Sequence, residues 1–174
     1  VKNMGQLQAI IVPVTPFRQN CTILFDSESK KGVVIDPGGD LDRIREAIES
    51  QGIDVEAIWI THGHIDHAAA ALDLKEALNV DIIGPHKDDK FLLDNLETTG
   101  LKYGITEGVR NVTPDRWLDE GDKVSVAGHE FDVFHTPGHA PGHVVFFSPE
   151  ARFAIVGDVL FNGSVGRTDL PGGD

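Results

Sequence analysis

The segment Thr61–His67, with the sequence THGHIDH, constrains this chain more than any other part of it. Four of the six residues from 62 to 67 carry side chains that bind metal ions. They follow the apolar run Ala57–Ile60 and precede the alanine-rich run Ala68–Leu78, which predicts a strand, a polar loop and a helix in that order. Because flanking elements hold such a loop rigidly, the sequence predicts a functional site there.

The spacing within this loop indicates two neighbouring ligand positions. His62 and His64 are two residues apart, so in extended backbone they face the same side. Asp66 and His67 come where the helix is expected to begin, and they can reach a second point close by. Several imidazoles converging on one point suit zinc or iron. We therefore predict that His62, His64, Asp66 and His67 bind metal ions.

Two later segments supply further candidate ligands. His139 lies in the middle of the glycine- and proline-rich loop Thr136–His143, between two strand-like runs, and can project freely. Asp158 follows the apolar strand Phe153–Val156. A carboxylate at that position suits two adjacent cations, which need shared negative charge.

Other conspicuous residues are interpreted as structural. Asp36 ends an apolar strand, and it either supports the metal loop by hydrogen bonds or forms a turn. Cys21 is the only cysteine, so it excludes an intrachain disulfide and is expected to be a buried thiol. Four histidines are interpreted as packing, surface or ligand-supporting residues: His86, His129, His135 and His143.

The remaining pattern predicts a layered α/β domain spanning residues 1–174. The run Asp40–Gln51 has helical spacing and is followed by Gly52, which suits a helix end. Residues 85–117 predict a helix with long loops. From Lys123 onwards, strand-like runs alternate with glycine and proline turns.

Charge and hydropathy exclude several classes of partner. The net charge of −13 argues against nucleic acid and anionic membrane surfaces, which need clustered lysine and arginine. No apolar run approaches the length that spans a bilayer, and no signal peptide is recognisable, so a cytoplasmic location is expected. The chain starts without methionine and ends in a glycine-rich run, so we expect a domain that is incomplete at its C-terminus.

The order and spacing of these ligands resemble the metallo-β-lactamase superfamily. The matching pieces are His62-Gly-His64-Ile-Asp66-His67, His139 within its loop, and Gly157-Asp158. The resemblance implies a four-layer αββα sandwich with its metal centre at one edge of the paired sheets. It also implies one ion on His62, His64 and His139, a second on Asp66 and His67, and Asp158 bridging both.

Within that superfamily the chain is most similar to small glyoxalase II-like hydrolases. The supporting segments are 36–39, 113–118, 157–161 and 166–169. The resemblance implies two divalent ions, zinc first, with iron or manganese as the other options. It implies hydrolysis of a small thioester such as S-lactoylglutathione by a metal-bridging hydroxide, with His64, Asp66 and Asp158 as catalytic residues.

Two departures from the family pattern bear on this expectation. Arg167 stands where glyoxalase II has a substrate-binding lysine, and it either binds a substrate carboxylate or pairs with Asp169. The family's further histidine after the bridging aspartate is not in this sequence, which leaves the second ion one ligand short.

Three alternatives stay open from the sequence. The chain also resembles persulfide dioxygenases in this motif and in the segment Gly166–Asp169, which implies as an alternative a single iron on His62, His139 and Asp158, a two-histidine, one-carboxylate set. A lactonase or β-lactamase-like hydrolase would use the same motif. A catalytically incomplete fragment would fold without turnover.

Overall fold

The computed structural model describes residues 7–14, 19–104, 109–136, 141–149, 153–156 and 159–162. Strands and helices are numbered in chain order. The strands are β1 (Leu7–Val14), β2 (Gln19–Asp26), β3 (Lys31–Ile35), β4 (Asp54–Trp59), β5 (Asp81–Ile83), β6 (Lys123–Val126), β7 (His129–His135), β8 (Val144–Ser148), β9 (Phe153–Val156) and β10 (Val159–Asn162). The helices are α1 (Leu41–Gln51), α2 (Ile65–Ala68), α3 (Ala71–Leu78), α4 (Lys90–Leu93) and α5 (Leu96–Lys102), and a 3₁₀ turn spans Lys87–Asp89.

The first sheet places the predicted metal loop at one of its edges. Strands β1 to β5 lie in chain order. The first three are antiparallel, and β3, β4 and β5 are parallel. The parallel pairs need crossover connections, which α1 supplies between β3 and β4, and α2 with α3 between β4 and β5. The carboxyl ends of three parallel strands therefore meet, and Asp36, Thr61 and Gly84 follow them.

The second sheet is antiparallel throughout and packs face to face on the first. Its order is β10-β9-β8-β7-β6. The alternating burial of β6 and β7 directs one side of each strand into the layer between the sheets. Trp59 of β4 is the centre of that layer, with its ring 5.4 Å from Phe131 and 4.8 Å from Phe146.

The helices cover the opposite face of the first sheet. Neighbouring strand residues alternate between the two cores, so Trp59 faces the second sheet while Ile58 faces the helices. Ile44 and Ile48 of α1 and Leu74 of α3 pack in this helical core. The described residues thus form three layers of the expected αββα sandwich, and none of the described helices covers the outer face of the second sheet.

Two elements differ from the sequence prediction. The alanine-rich run is not one helix, because α2 ends at Ala68 and α3 begins at Ala71. The backbone N–H of Ala70 donates to the Pro37 carbonyl at 3.0 Å, a contact that holds the break. Helix α2 begins at Ile65, so Asp66 and His67 lie at its start, where the helix was expected to begin. The described part of residues 85–117 holds a 3₁₀ turn and two short helices rather than one helix.

The predicted end of one helix is confirmed. Helix α1 ends where expected, and Gly52 adopts φ 66° just past it. Among the described residues no helix is long and apolar enough to cross a lipid bilayer.

Cys21 is buried within β2, as predicted, and should be unreactive in the folded protein. Burial raises the pKa of its thiol well above the ordinary range, and the nearby Asp36 carboxylate adds to the effect. Because the thiolate is the reactive form, we expect no reaction with dithionitrobenzoate at neutral pH until the protein is unfolded in guanidinium. Rapid, stoichiometric labelling of the folded protein would contradict this placement.

Candidate metal centre

Asp36 organises the loop that follows β4. Its carboxylate is buried and accepts three hydrogen bonds. Oδ1 accepts the Thr61 backbone N–H at 2.8 Å, and Oδ2 accepts the Thr61 hydroxyl at 2.7 Å and Nδ1 of His67 at 2.9 Å. Asp36 therefore supports the loop by hydrogen bonds, which was one of the two roles its sequence position allowed.

These bonds decide which ring nitrogen of each histidine carries hydrogen. A carboxylate only accepts, so His67 must donate from Nδ1 to Asp36. The Thr61 hydroxyl gives its single hydrogen to Asp36, so its 3.0 Å contact with His62 requires that His62 also donates from Nδ1. In both neutral rings the lone pair is then on Nε2, the form in which imidazole binds a metal ion.

The three predicted histidines of this loop lie together. The ring centroid of His62 is 4.1 Å from that of His67 and 4.8 Å from that of His64. His143 joins them, with its ring 4.8 Å from His62 and its Nδ1 2.9 Å from the Thr136 hydroxyl. His143 thus packs against a predicted ligand, in agreement with its interpretation as a packed or supporting residue.

Four other predicted site residues have side chains outside the described residues. The backbone of Asp66 is described and lies in α2, directly before His67. His139, Asp158 and Arg167 fall in the undescribed ranges. Their roles stay predictions.

Asp89 is a supporting residue that the sequence did not reveal. It lies at the end of the 3₁₀ turn and is 0% exposed. Its Oδ2 accepts the Gly63 backbone N–H at 2.7 Å, and its Oδ1 accepts the Gly142 backbone N–H at 2.6 Å. One buried carboxylate therefore joins the His62–His67 loop to the loop that precedes β8. Nothing in the sequence separates Asp89 from its neighbour Asp88, which is 51% exposed.

The close approach of the loop before β8 to the 3₁₀ turn explains the glycine at position 142. A Cβ atom there would lie 2.6 Å from the Asp89 backbone nitrogen and 2.6 Å from the His86 carbonyl oxygen. Both are backbone atoms, so they cannot move aside as a flexible side chain would. The backbone N–H of His86 also donates to the Gly142 carbonyl at 3.0 Å. This hydrogen bond holds the backbone of residue 142 against that of residue 86.

A second cluster, His86, Asp88 and His135, has the composition of a metal site but not its geometry. The two imidazole rings stack at 3.9 Å with only 4° between their planes. Imidazole lone pairs lie in the ring plane, so parallel stacked rings cannot direct them at one ion. His135 instead holds the Pro141 carbonyl through Nε2 at 2.8 Å, which agrees with a structural role.

The first cluster does fit a metal ion. One ligand atom from each of Asp36, His62 and His67 lies within 4.8 Å of the others. Asp36 already binds the Nδ1 side of His67, so we interpret it as orienting the ring rather than as a ligand. Neutral imidazoles with the lone pair on Nε2 are donors suited to zinc or iron.

A family comparison agrees with this geometry. The family model described as the metallo-beta-lactamase superfamily matches residues 14–174. The chain is 42% identical over 165 residues to hydroxyacylglutathione hydrolase GloC of Haemophilus influenzae, covering 94% of this chain and 77% of that protein. It is 33% identical over 165 residues to the probable metallo-hydrolase YqgX of Bacillus subtilis, covering 94% and 76%.

Solved structures show the same architecture. The crystal structure of BLEG-1 B3 metallo-beta-lactamase superimposes with a TM-score of 0.75 at 30% identity, covering 97% of this chain and 79% of that one. The crystal structure of TTHA1623 in a di-iron-bound form also gives a TM-score of 0.75, at 35% identity, with 95% and 79% covered.

Proposed function

This chain belongs to the metallo-beta-lactamase superfamily, and on that premise we propose that it hydrolyses a small thioester with the help of two divalent metal ions. The observation that carries the proposal is the buried pair His62 and His67, each held at Nδ1 so that Nε2 presents a lone pair. The similarity to a hydroxyacylglutathione hydrolase supports a thioester as substrate.

The ligand assignment follows the motif that this chain shares with the metallo-beta-lactamase superfamily. His62, His64 and His139 would hold one ion, Asp66 and His67 the other, and Asp158 both. Arg167 would contact a carboxylate of the substrate, because guanidinium binds carboxylates in a bidentate manner. Bound divalent ions would lower the pKa of a water molecule and polarise the thioester carbonyl.

The reaction needs no oxidant or reductant. Water supplies the oxygen that bonds to the carbonyl carbon, the carbon–sulfur bond breaks, and the products are a carboxylic acid and a thiol. Asp36 and Thr61 keep the ring hydrogens of His67 and His62 on Nδ1 throughout. Asp89 holds the two loops at a fixed separation, so the chain's own contribution is a preorganised set of ligands.

Elemental mass spectrometry on protein purified without chelator tests the proposal. We expect two equivalents of zinc, iron or a mixture per chain, together with hydrolysis of S-lactoylglutathione. His64→Ala and Asp158→Ala should each lower turnover by about a thousandfold or more, because they remove predicted ligands from a site that acts as a unit.

His129→Gln is the control for these variants. His129 bonds Asp26 at 2.6 Å, at the opposite ends of the strands from Asp36, so its replacement should leave metal content unchanged.

One equivalent of iron with oxygen uptake on glutathione persulfide would replace the hydrolase proposal with a dioxygenase. Wild-type turnover in a metal-depleted His64→Ala protein would overturn the mechanism.

A further inference from the structure

A groove opens directly beside the histidine cluster. Its volume is about 440 Å³, and Gly63, His64 and Ile65 of the metal loop form one of its walls. The other wall comes from α4 and α5 through Leu92, Leu96, Thr99 and Tyr103. This volume lies in the range of small-molecule sites, and such sites are concave and mostly apolar.

The helical wall follows from the sequence spacing. Leu96, Thr99 and Tyr103 are three and four residues apart, which places them on one side of α5 and the residue that follows it, and Leu92 belongs to the separate helix α4. Leu96 is only 1% exposed and also belongs to the helical core, so it forms a fixed floor. Tyr103 is 64% exposed and lies where the groove opens to solvent.

The chemistry of the wall selects against a charged occupant. The described lining residues include no lysine, arginine, aspartate or glutamate. Besides Gly63 and His64 of the metal loop, they are aliphatic side chains and the two hydroxyl-bearing residues Thr99 and Tyr103. An anionic group such as a glutathione carboxylate would need a cation, and the described residues of the helical wall offer none. An uncharged aliphatic chain needs only apolar contact.

We propose that this groove binds the acyl chain of the thioester, with the carbonyl carbon at the histidine cluster and an uncharged aliphatic chain running towards Tyr103. The proposal rests on the thioester hydrolase function proposed above. It makes the enzyme selective for acyl groups longer than lactoyl, and it places the charged thiol part outside the groove.

A series of glutathione thioesters tests the length dependence on the metal-loaded protein. Between acetyl, butyryl and hexanoyl thioesters, kcat/KM should rise by about twofold to fourfold per added methylene, as expected for burial of each methylene in an apolar site. A flat or falling series would overturn the proposal. S-hexyl thioacetate carries the same chain on the thiol side. A preference for it over S-ethyl thioacetate as large as the acyl preference would assign the groove to the thiol instead.

Thr99→Phe, with Thr98→Phe as its matched control, tests the location. Thr99 lines the groove, whereas Thr98 is exposed one residue earlier on the same helix. Thr99→Phe should fill the groove and lower the ratio of hexanoyl to acetyl kcat/KM by about tenfold or more. Thr98→Phe should keep the wild-type ratio. Equal ratios in the two variants would show that the chain binds elsewhere.

Calorimetry with hexanoate and acetate separates this inference from the hydrolase proposal. Both carry the same carboxylate, so the difference in their affinities reports only the chain. We expect hexanoate to bind at least tenfold more tightly and Thr99→Phe to remove the difference. If no thioester is hydrolysed but this difference is found, the groove assignment stands and the reaction is wrong. If thioesters are hydrolysed but hexanoate and acetate bind with equal affinity, only the groove assignment fails.

Discussion

Replacement of Asp89 by alanine is expected to lower the free energy of unfolding by about 3 kcal/mol and to weaken metal binding by about tenfold or more. The carboxylate accepts the backbone N–H groups of Gly63 and Gly142 in a fully buried position. Without it, two buried donors lose their acceptor, and each such loss costs about 1–3 kcal/mol. The effect on metal binding follows because Gly63 lies between two of the predicted ligands.

Asp88→Ala and Asp89→Asn make this prediction specific. Asp88 is the preceding residue and is half exposed, so its removal should change stability by less than about 0.5 kcal/mol. Asparagine at position 89 keeps one acceptor oxygen but turns a donor towards the other N–H, so Asp89→Asn should lie between wild type and alanine in metal affinity. Affinity is measured by chelator competition and stability by guanidinium unfolding. An Asp89→Ala protein that is destabilised but binds metal as tightly as wild type would restrict Asp89 to a role in folding.

The strands were predictable because their apolar runs are short and bounded by glycine and proline. The runs ending at Ile35 and Val156 match β3 and β9 closely. The break between α2 and α3 was not predictable, because alanine favours helix and nothing local interrupts it. The break is held by a hydrogen bond from the Ala70 N–H to the Pro37 carbonyl. The two residues are far apart in the chain, so the local sequence does not predict this contact. Strand β10, which pairs with β9, was not among the predicted strands although Val159–Phe161 is apolar.

Some residues of the candidate site could likewise be predicted from the sequence, and others could not. The motif from His62 to His67 was recognisable because it concentrates ligands at one place in the chain. Asp36 could be identified as a candidate but not assigned, since its role depends on the parallel pairing of β3 and β4. Asp89 could not be identified, because it contacts residues 26 and 53 positions away. In the sequence it stands within a charged Lys-Asp-Asp-Lys turn, which is typical of solvent-exposed surface.

Replacement of Asp36 by asparagine should be the most damaging single change among the described residues that support the site. Oδ2 accepts from both Thr61 and His67, and Oδ1 accepts the Thr61 N–H. Asparagine has the same shape but turns an NH₂ group towards donors whichever way it is oriented. We expect a loss of about a hundredfold in metal affinity and about 3 kcal/mol in stability, measured as for Asp89.

Thr61 variants test the hydrogen bonds that link Asp36, the Thr61 hydroxyl and His62 separately from the other contacts of the loop. Thr61→Val keeps the shape and the backbone N–H bond to Asp36 but removes the hydroxyl that accepts from His62. His62 then no longer has a partner that fixes its hydrogen on Nδ1, so metal affinity should fall by about tenfold, and Thr61→Ser should restore it. Thr61→Val and Thr61→Ser with equal metal affinity would show that the hydroxyl does not orient the ligand. The Asp36 effect would then arise through His67 and the Thr61 backbone N–H.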